Sequence, residues 1–329
     1  MARTIISATP GTPAAGTQNT YQVEGARESV QDLIGLISPY ETPCFTNFRK
    51  VSITDKLVYW QEDDLAAASV SNAAIEGADV SAYDASTPGM KTNTTQIFTK
   101  AVKVTGSSGA VSWYGRASEE DYMILKRGRE LRRDIERVIL TDQAMVAGDA
   151  STARKLASAS RLIDSGNVTF GAGGSATGDA GTDVALSEAL VLGAHQACFN
   201  AGGNPNWLLV SPFHSTKVAN FAYVTNQQIR DRGNETRYVN AVDLYMSPFG
   251  ELTVVLDRFI RGANSGESAN GFVFLLETER WFIPQLREIQ TEPLAKLGDA
   301  VRFMMLSELS LGVEHSKCSA LIRDLSVSC

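Results

Sequence analysis

The chain has 329 residues, 43% of them hydrophobic, with 30 Lys and Arg against 37 Asp and Glu, a net charge of −7. That length fits about two domains; no run approaches the ~18 apolar residues of a membrane span, and the acidic balance argues against general nucleic-acid binding through a basic face. The opening, MARTIISATPGTPAAG, has only Ile5-Ile6 as an apolar core, too little for a signal peptide. Cys44, Cys198, Cys318 and Cys329 lack CxxC spacing, so neither a zinc site nor a disulfide framework is encoded, and free thiols in a reducing cytoplasm fit best.

Residues 7–20, SATPGTPAAGTQNT, carry no charge and almost no large apolar group. Such a segment cannot offset its ordering entropy by burial, so it reads as a mobile arm. GARESVQDLIGLI then predicts a short amphipathic helix with Val30, Leu33, Ile34 and Ile37 on one side. Pro39 and Pro43 end it and force an extended path. Residues 55–64 and 91–105 predict two strands, separated by about 25 mostly small residues. Together they make a long two-stranded arm with a loose tip. An isolated ribbon of this kind is marginal in water, so it must lie on its own domain or on a neighbouring copy.

Residues 118–147 predict a long helix. Ser118 is placed as N-cap, Glu119, Glu120 and Asp121 occupy the positive first turn, and Ile124, Leu131, Ile135, Val138 and Met145 form an apolar stripe. Thirty residues would span roughly 45 Å. The middle, KRGRELRRDIER, has six basic and three acidic residues, with Arg132–Glu136 and Asp134–Arg137 spaced for ion pairs. Gly128 inside the helix costs about 1 kcal/mol against Ala; it is either simply tolerated or marks close backbone packing. Gly148 is the natural stop.

Further along, FGAGGSATGDAGTD (170–183) precedes a helix capped by Thr182 or Asp183 and running to about residue 201, with Leu186, Leu190, Ala194 and Ala197 inward. Gly202-Gly203 and Pro205 end it. WLLV (207–210) predicts a buried strand, and Ser211-Pro212 opens another helix. Strands follow at 252–259, 272–277 and 280–286. From 300 to 314, Phe303, Met305, Leu309, Leu311 and Val313 alternate with polar residues, predicting a half-exposed strand paired with 319–327. The class is α+β without a βαβ rhythm or internal repeat.

No catalytic constellation emerges. The Gly-rich stretch 170–181 lacks a Gly-Lys-Ser/Thr ending and carries Asp179 where a lysine would help, so it reads as a surface loop rather than a phosphate cradle. His195, His214 and His315 have no HxH or HxxxH partner, which leaves no metal site to name. Cys44 and Cys198 read as buried structural thiols, although a thiol hydrolase is the different-class alternative. Glu62-Asp63-Asp64 reads as a solvated strand end, and Glu119–Asp121 as helix capping. No catalytic, cofactor-binding or metal-binding residue is expected.

What is left is a building block, and its residues resemble a known family. In order and spacing, DLIGLISPYETPCFTNF, VYWQEDDL, SSGAVSWYGRASEEDYMILKRGRELRRDIERVIL, VDLYMSPFGELTVVLDRF and WFIPQLREIQTEPLAKLGDAVRFMMLSELSLGVEHSKC are similar to major head (capsid) proteins of tailed bacteriophages, from about residue 24 to the C-terminus. The resemblance implies the Hong-Kong-97-type (Johnson) fold, in which 1–48 form an N-terminal arm and 49–105 an extended loop. Residues 106–182 become a peripheral domain with the spine helix 118–147, 183–286 an axial domain, and 287–329 strands returning to the peripheral domain. It also implies hexamers and pentamers that build the icosahedral head of a virion, assembled in the host cytoplasm around double-stranded DNA without sequence-specific binding or a membrane.

No long scaffolding segment leads the chain, which points to a separate scaffold protein or a trimmed precursor, and portal and decoration proteins are further partners of such a shell. No lysine–asparagine–glutamate crosslinking set is identifiable. Tyr59, Trp60, Ile97 and Phe98 are the expected apolar contacts with an adjacent subunit, and Arg129, Arg133 and Arg137 the expected charge-sharing ones. A bacterial nanocompartment shell of the same fold is the same-class alternative; a tail-tube or adhesion protein, as a compact β-sandwich, is a further one.

Overall fold

Two sheets and a projecting ribbon organise the chain, and the computed structural model describes residues 38–77, 79, 86–170, 184–221, 243–260 and 271–327. The predicted helix at 25–37, the Thr182/Asp183 cap and most of the Gly-rich loop lie outside these residues. In chain order the elements are α1 (Pro43–Asn47), β1 (Arg49–Ser52), β2 (Leu57–Glu62), β3 (Gly89–Thr94), β4 (Gln96–Thr105), α2 (Gly106–Ala110), α3 (Glu119–Leu140), α4 (Ala159–Leu162) and β5 (Val168–Phe170). Then come α5 (Glu188–Asn200), β6 (Trp207–Val210), α6 (Pro212–Phe221), β7 (Leu244–Ser247), β8 (Gly250–Leu256), β9 (Gly271–Leu276), β10 (Trp281–Leu294), β11 (Ala300–Leu309), β12 (Gly312–Val313) and β13 (Ala320–Leu325).

One sheet runs β1-β10-β11-β4, with β12 also paired to β10. The other runs β5-β13-β9-β6-β8-β7. Period-two alternation explains why the second sheet is covered on both sides. Phe272, Phe274 and Leu276 of β9 point into one apolar cluster with Leu131, Ile135 and Ile139 of α3. Val273 and Leu275 point the other way, to Val191, Ala194 and Cys198 of α5.

α3 begins where its cap predicts: the Ser118 Oγ accepts the Asp121 backbone N–H at 3.3 Å. It stops seven residues short of the predicted end, giving a rod of about 33 Å. The reason is side-chain competition past Leu140. Ser160 Oγ donates to the Thr141 carbonyl at 3.0 Å, Ser158 Oγ accepts the Gln143 N–H at 3.0 Å, and Asp142 pairs with Arg161 and, at 3.0 Å, with Arg323. Met145 is therefore exposed rather than part of the stripe, and Gly148 sits in the following loop.

Three strand expectations change. The run 91–105 is two strands, broken at Thr95, whose hydroxyl donates to Glu308 at 2.9 Å; only β3 belongs to the ribbon, while β4 crosses into the first sheet beside β11. The run 300–314 breaks at Ser310, whose Oγ donates to the Thr94 carbonyl at 2.9 Å. Residues 320–325 pair with β9 and β5, not with β11. All six are buried, as an interior strand requires, and a 3-10 turn at Ser316–Cys318 carries the chain across to that sheet. α5 starts at its Ser187 cap, later than expected, because Val184 is held extended against Leu325; its buried face is Val191, Ala194, His195 and Cys198. Its end is as read: Gly202 takes φ +91°, and a Cβ on Gly203 would come within 2.8 Å of the Cys318 Cα.

Glu136 ties these parts together. Fully buried on α3, it accepts the backbone N–H groups of Cys44 and Phe45 at 2.8 Å each, satisfying the start of α1. The Cys44 thiol and the Asp257 carboxylate after β8 lie within 4.8 Å of it. Burial, then the nearby Asp257, push the Glu136 carboxyl well above the ordinary range, and burial also raises Asp257. The Glu136 contribution to stability is accordingly complete below the ordinary carboxyl range and is lost as pH rises through the raised value. Denaturant midpoints measured from pH 5 upward should fall with pH, and Glu136→Gln should flatten that slope. Glu136→Leu, which strands two buried N–H groups, should cost about 3 kcal/mol or more at any pH. On the outer part of α3, a Cβ on Gly128 would meet only the flexible Met305 side chain, its methyl at 3.5 Å. Close backbone packing is thus absent there within the subunit, and Gly128→Ala should raise stability by up to about 1 kcal/mol in the same measurement.

Candidate functional site

β2 and β3 pair in register from Leu57↔Thr94 to Glu62↔Gly89, and the chain between them leaves the body. Every described residue from 63 to 92 is exposed, including Leu65 (99%) and Val70 (103%). Polar side chains hold the root. Asn93, fully buried, donates to the carbonyls of Leu311 (2.7 Å) and Ala157 (3.2 Å) and accepts from the Ala157 N–H at 2.8 Å. The Glu62 carboxylate accepts from the Ser316 N–H at 3.1 Å and the Ser316 hydroxyl at 2.9 Å. Asp64 pairs with Lys317 at 2.7 Å and lies 3.2 Å from His315; the Lys317 hydrogen bond holds its carboxyl below the usual range. The acidic run 62–64 is therefore an anchor, not merely a solvated strand end. The result is a stiff base with a bare tip.

The predicted contact residues fall in different places. Tyr59 is half exposed on β2, and Trp60 packs edge-on against Phe282 with ring centroids 6.1 Å apart. Ile97 is exposed on β4, but Phe98 beside it is buried in the subunit's own core and offers nothing to a neighbour. Because β4 is not part of the ribbon, the pair 97–98 is separate from 59–60. Arg129 lies over Tyr40 (5.3 Å), Arg133 over Phe259 (5.5 Å), and Arg137 reaches the Phe259 carbonyl at 3.5 Å. The expected ion pairs along α3 are replaced: Asp134 binds Lys100 at 2.6 Å, and Glu136 turns inward.

Groups with catalytic potential are enclosed. Burial pushes the Cys198 thiol up to about 12 and Cys318 to about 11, and raises Cys44 well above its ordinary value, the reverse of what a thiolate nucleophile needs. Among the described residues two Ser–His hydrogen bonds occur, Ser211–His214 and Ser247–His195, both 2.8 Å. The first is a buried helix cap whose imidazole burial lowers to about 4; the second is likewise lowered by burial and packs on Phe249. The cluster Cys44–Glu136–Asp257 has the donor types of a cation site, but its Glu136 oxygens are engaged by two backbone N–H groups.

Comparison with known proteins matches this geometry. Residues 14–326 match the family model described as SU10 major capsid protein. A relative, the "Major capsid protein" of Escherichia phage Phieco32, is 25% identical over 337 residues, covering 90% of this chain and 93% of its own. The capsid of a native GTA particle shares the fold at a TM-score of 0.59 and 12% identity, over 96% of this chain and 99% of that one. The holo-SrpI encapsulin complex from Synechococcus elongatus PCC 7942 does so at 0.57 and 7%, over 92% and 94%. The two sheets, the long helix and the projecting ribbon are thus the Hong-Kong-97-type capsid fold, and, matched by that family model over nearly its whole length, the chain belongs to the SU10 major capsid protein family.

Proposed function

We propose that copies of this phage major capsid protein join into hexamers and pentamers by laying the ribbon tip of one over the body of the next. Closed in this way they form the icosahedral head around double-stranded DNA, assembled in the host cytoplasm. The observation that carries this reading is the contrast between the anchored root and the exposed described residues of 63–92. Leu65, Val70 and Ile75 are almost wholly exposed in their own subunit, and each would contribute about 1.5–3 kcal/mol if a neighbour buried it fully. A head-to-tail contact repeats round a ring until it closes, so a modest gain per ribbon sums to a strong shell. Tyr59 and Ile97, both exposed, are the remaining apolar contacts from the sequence reading, and Arg129 the remaining exposed charge.

On this reading the sheet carrying α3 serves as the peripheral domain. The six-stranded sheet serves as the axial domain, with residues 320–325 among its strands. The likeness to an encapsulin speaks for the fold alone and leaves the nanocompartment shell as the second reading. A nanocompartment should hold protein cargo rather than DNA.

Negative-stain electron microscopy of the purified protein tests the proposal. Deletion of 66–87, which keeps the β2–β3 ladder, should leave folded subunits that yield few or no closed particles. Wild-type particle yield from that deletion would overturn the interlocking role. Asn93→Ala, which unpairs buried groups at the root, should lower subunit stability by about 1–3 kcal/mol in urea titrations and reduce particle yield as well.

A further inference from the structure

Three arginines from two separate segments meet at an open cleft beside the first described residues. Arg133 and Arg137 stand one turn apart on α3, Arg258 follows β8, and Pro39, Pro212 and Phe259 complete a cleft of about 470 Å³. Its one acid, Asp134, is already engaged by Lys100. The Phe259 ring, 5.5 Å away, steadies the Arg133 guanidinium without neutralising it. Among the described residues neither Arg133 nor Arg258 has a carboxylate partner. Pro212 is the first residue of the ten-residue α6, so the positive end of that helix adds to the field. The cleft is cationic with apolar walls, a match for carboxylates carried on a peptide.

The sequence just before Pro39 supplies such carboxylates. Glu28 and Asp32, four apart, share one face of the predicted helix, opposite Val30, Leu33, Ile34 and Ile37, and Glu24 directly precedes it at the same spacing. Asp32 is seven residues from Pro39, a span of roughly 10 Å if helical and roughly 23 Å if extended. A short tether gives this segment a high effective concentration at the cleft, which a diffusing anion lacks. We propose that the acidic stripe Glu24–Glu28–Asp32 docks into the Arg133–Arg137–Arg258 cleft of its own chain. Docking fixes the root of the N-terminal arm and turns the apolar stripe 30–37 outward. The docking is intramolecular and independent of shell formation; only the destination of the apolar stripe, a neighbouring copy, rests on the capsid reading.

Hydrogen exchange on the full-length, unassembled subunit tests this. Peptides within 24–37 should exchange slowly at low salt. Arg258→Glu alone, at an exposed position, should speed their exchange severalfold, and Arg133→Glu/Arg258→Glu by about tenfold, equivalent to about 1.4 kcal/mol. Exchange in β9 should stay unchanged, showing that the fold survives. Adding Glu28→Arg/Asp32→Arg to the double reversal should restore protection. Unchanged exchange on charge reversal, or failure of that rescue, would overturn the proposal. So would protection seen only in assembled particles, which would assign the cleft to a second copy's arm. Equal protection by inorganic phosphate in a variant lacking the three acids would make the cleft a general anion site and overturn it too. Loss of particles with protection intact would instead count against the capsid reading.

Discussion

The constraint on which the ribbon depends is the directional bonding of its root to the body by Asn93 and Glu62. Both lie where the ladder meets the body, and both bond backbone or hydroxyl groups far away in sequence as well as close neighbours. A ribbon hinged on apolar contacts could swivel, since hydrophobic contact has little directional preference. Hydrogen bonds have direction, so the ladder leaves the body at one angle.

The same logic recurs at the buried acids. Glu308 accepts from Thr95, Arg154 and Arg287 at the place where β4, β10 and the loop before α4 meet. Burial alone would raise its carboxyl, but the Arg287 and Thr95 hydrogen bonds and the Arg154 charge hold it below the usual range. At Glu136 burial and the nearby Asp257 prevail instead, and its carboxyl is raised. Two acids whose carboxyls are shifted in opposite directions thus do similar mechanical work. They fix α3, β11 and the base of the arm in one arrangement, each losing much if a single partner is removed.

What could be read from the sequence was local. Ser118, Ser211-Pro212 and WLLV announced themselves because a cap or a buried strand is written within a few residues. The family resemblance led to the right fold. The misses share one cause: a partner remote in sequence. Glu136 looked like half of an intrahelical ion pair, and its true partners are 91 and 92 residues away. Glu62 looked solvated, and Ser316 is 254 residues away. Alternation along 300–314 suggested the next segment as its partner, yet 320–325, buried on both faces, belonged at the centre of the other sheet. Phe98 was assigned outward because β3 and β4 read as one strand; the break at Thr95 turns it into the core.

The enclosed sulfurs carry a consequence for durability. Thiol–disulfide exchange requires an accessible thiolate, and Cys44, Cys198 and Cys318 are buried and held protonated. Particles that pass from a cell into aerated water meet oxidants that would rearrange exposed cysteines and stiffen or crack a protein coat over time. With their sulfur sealed under packed strands, these three positions give such weathering no foothold, so the coat can age in open water without a change in its covalent structure there.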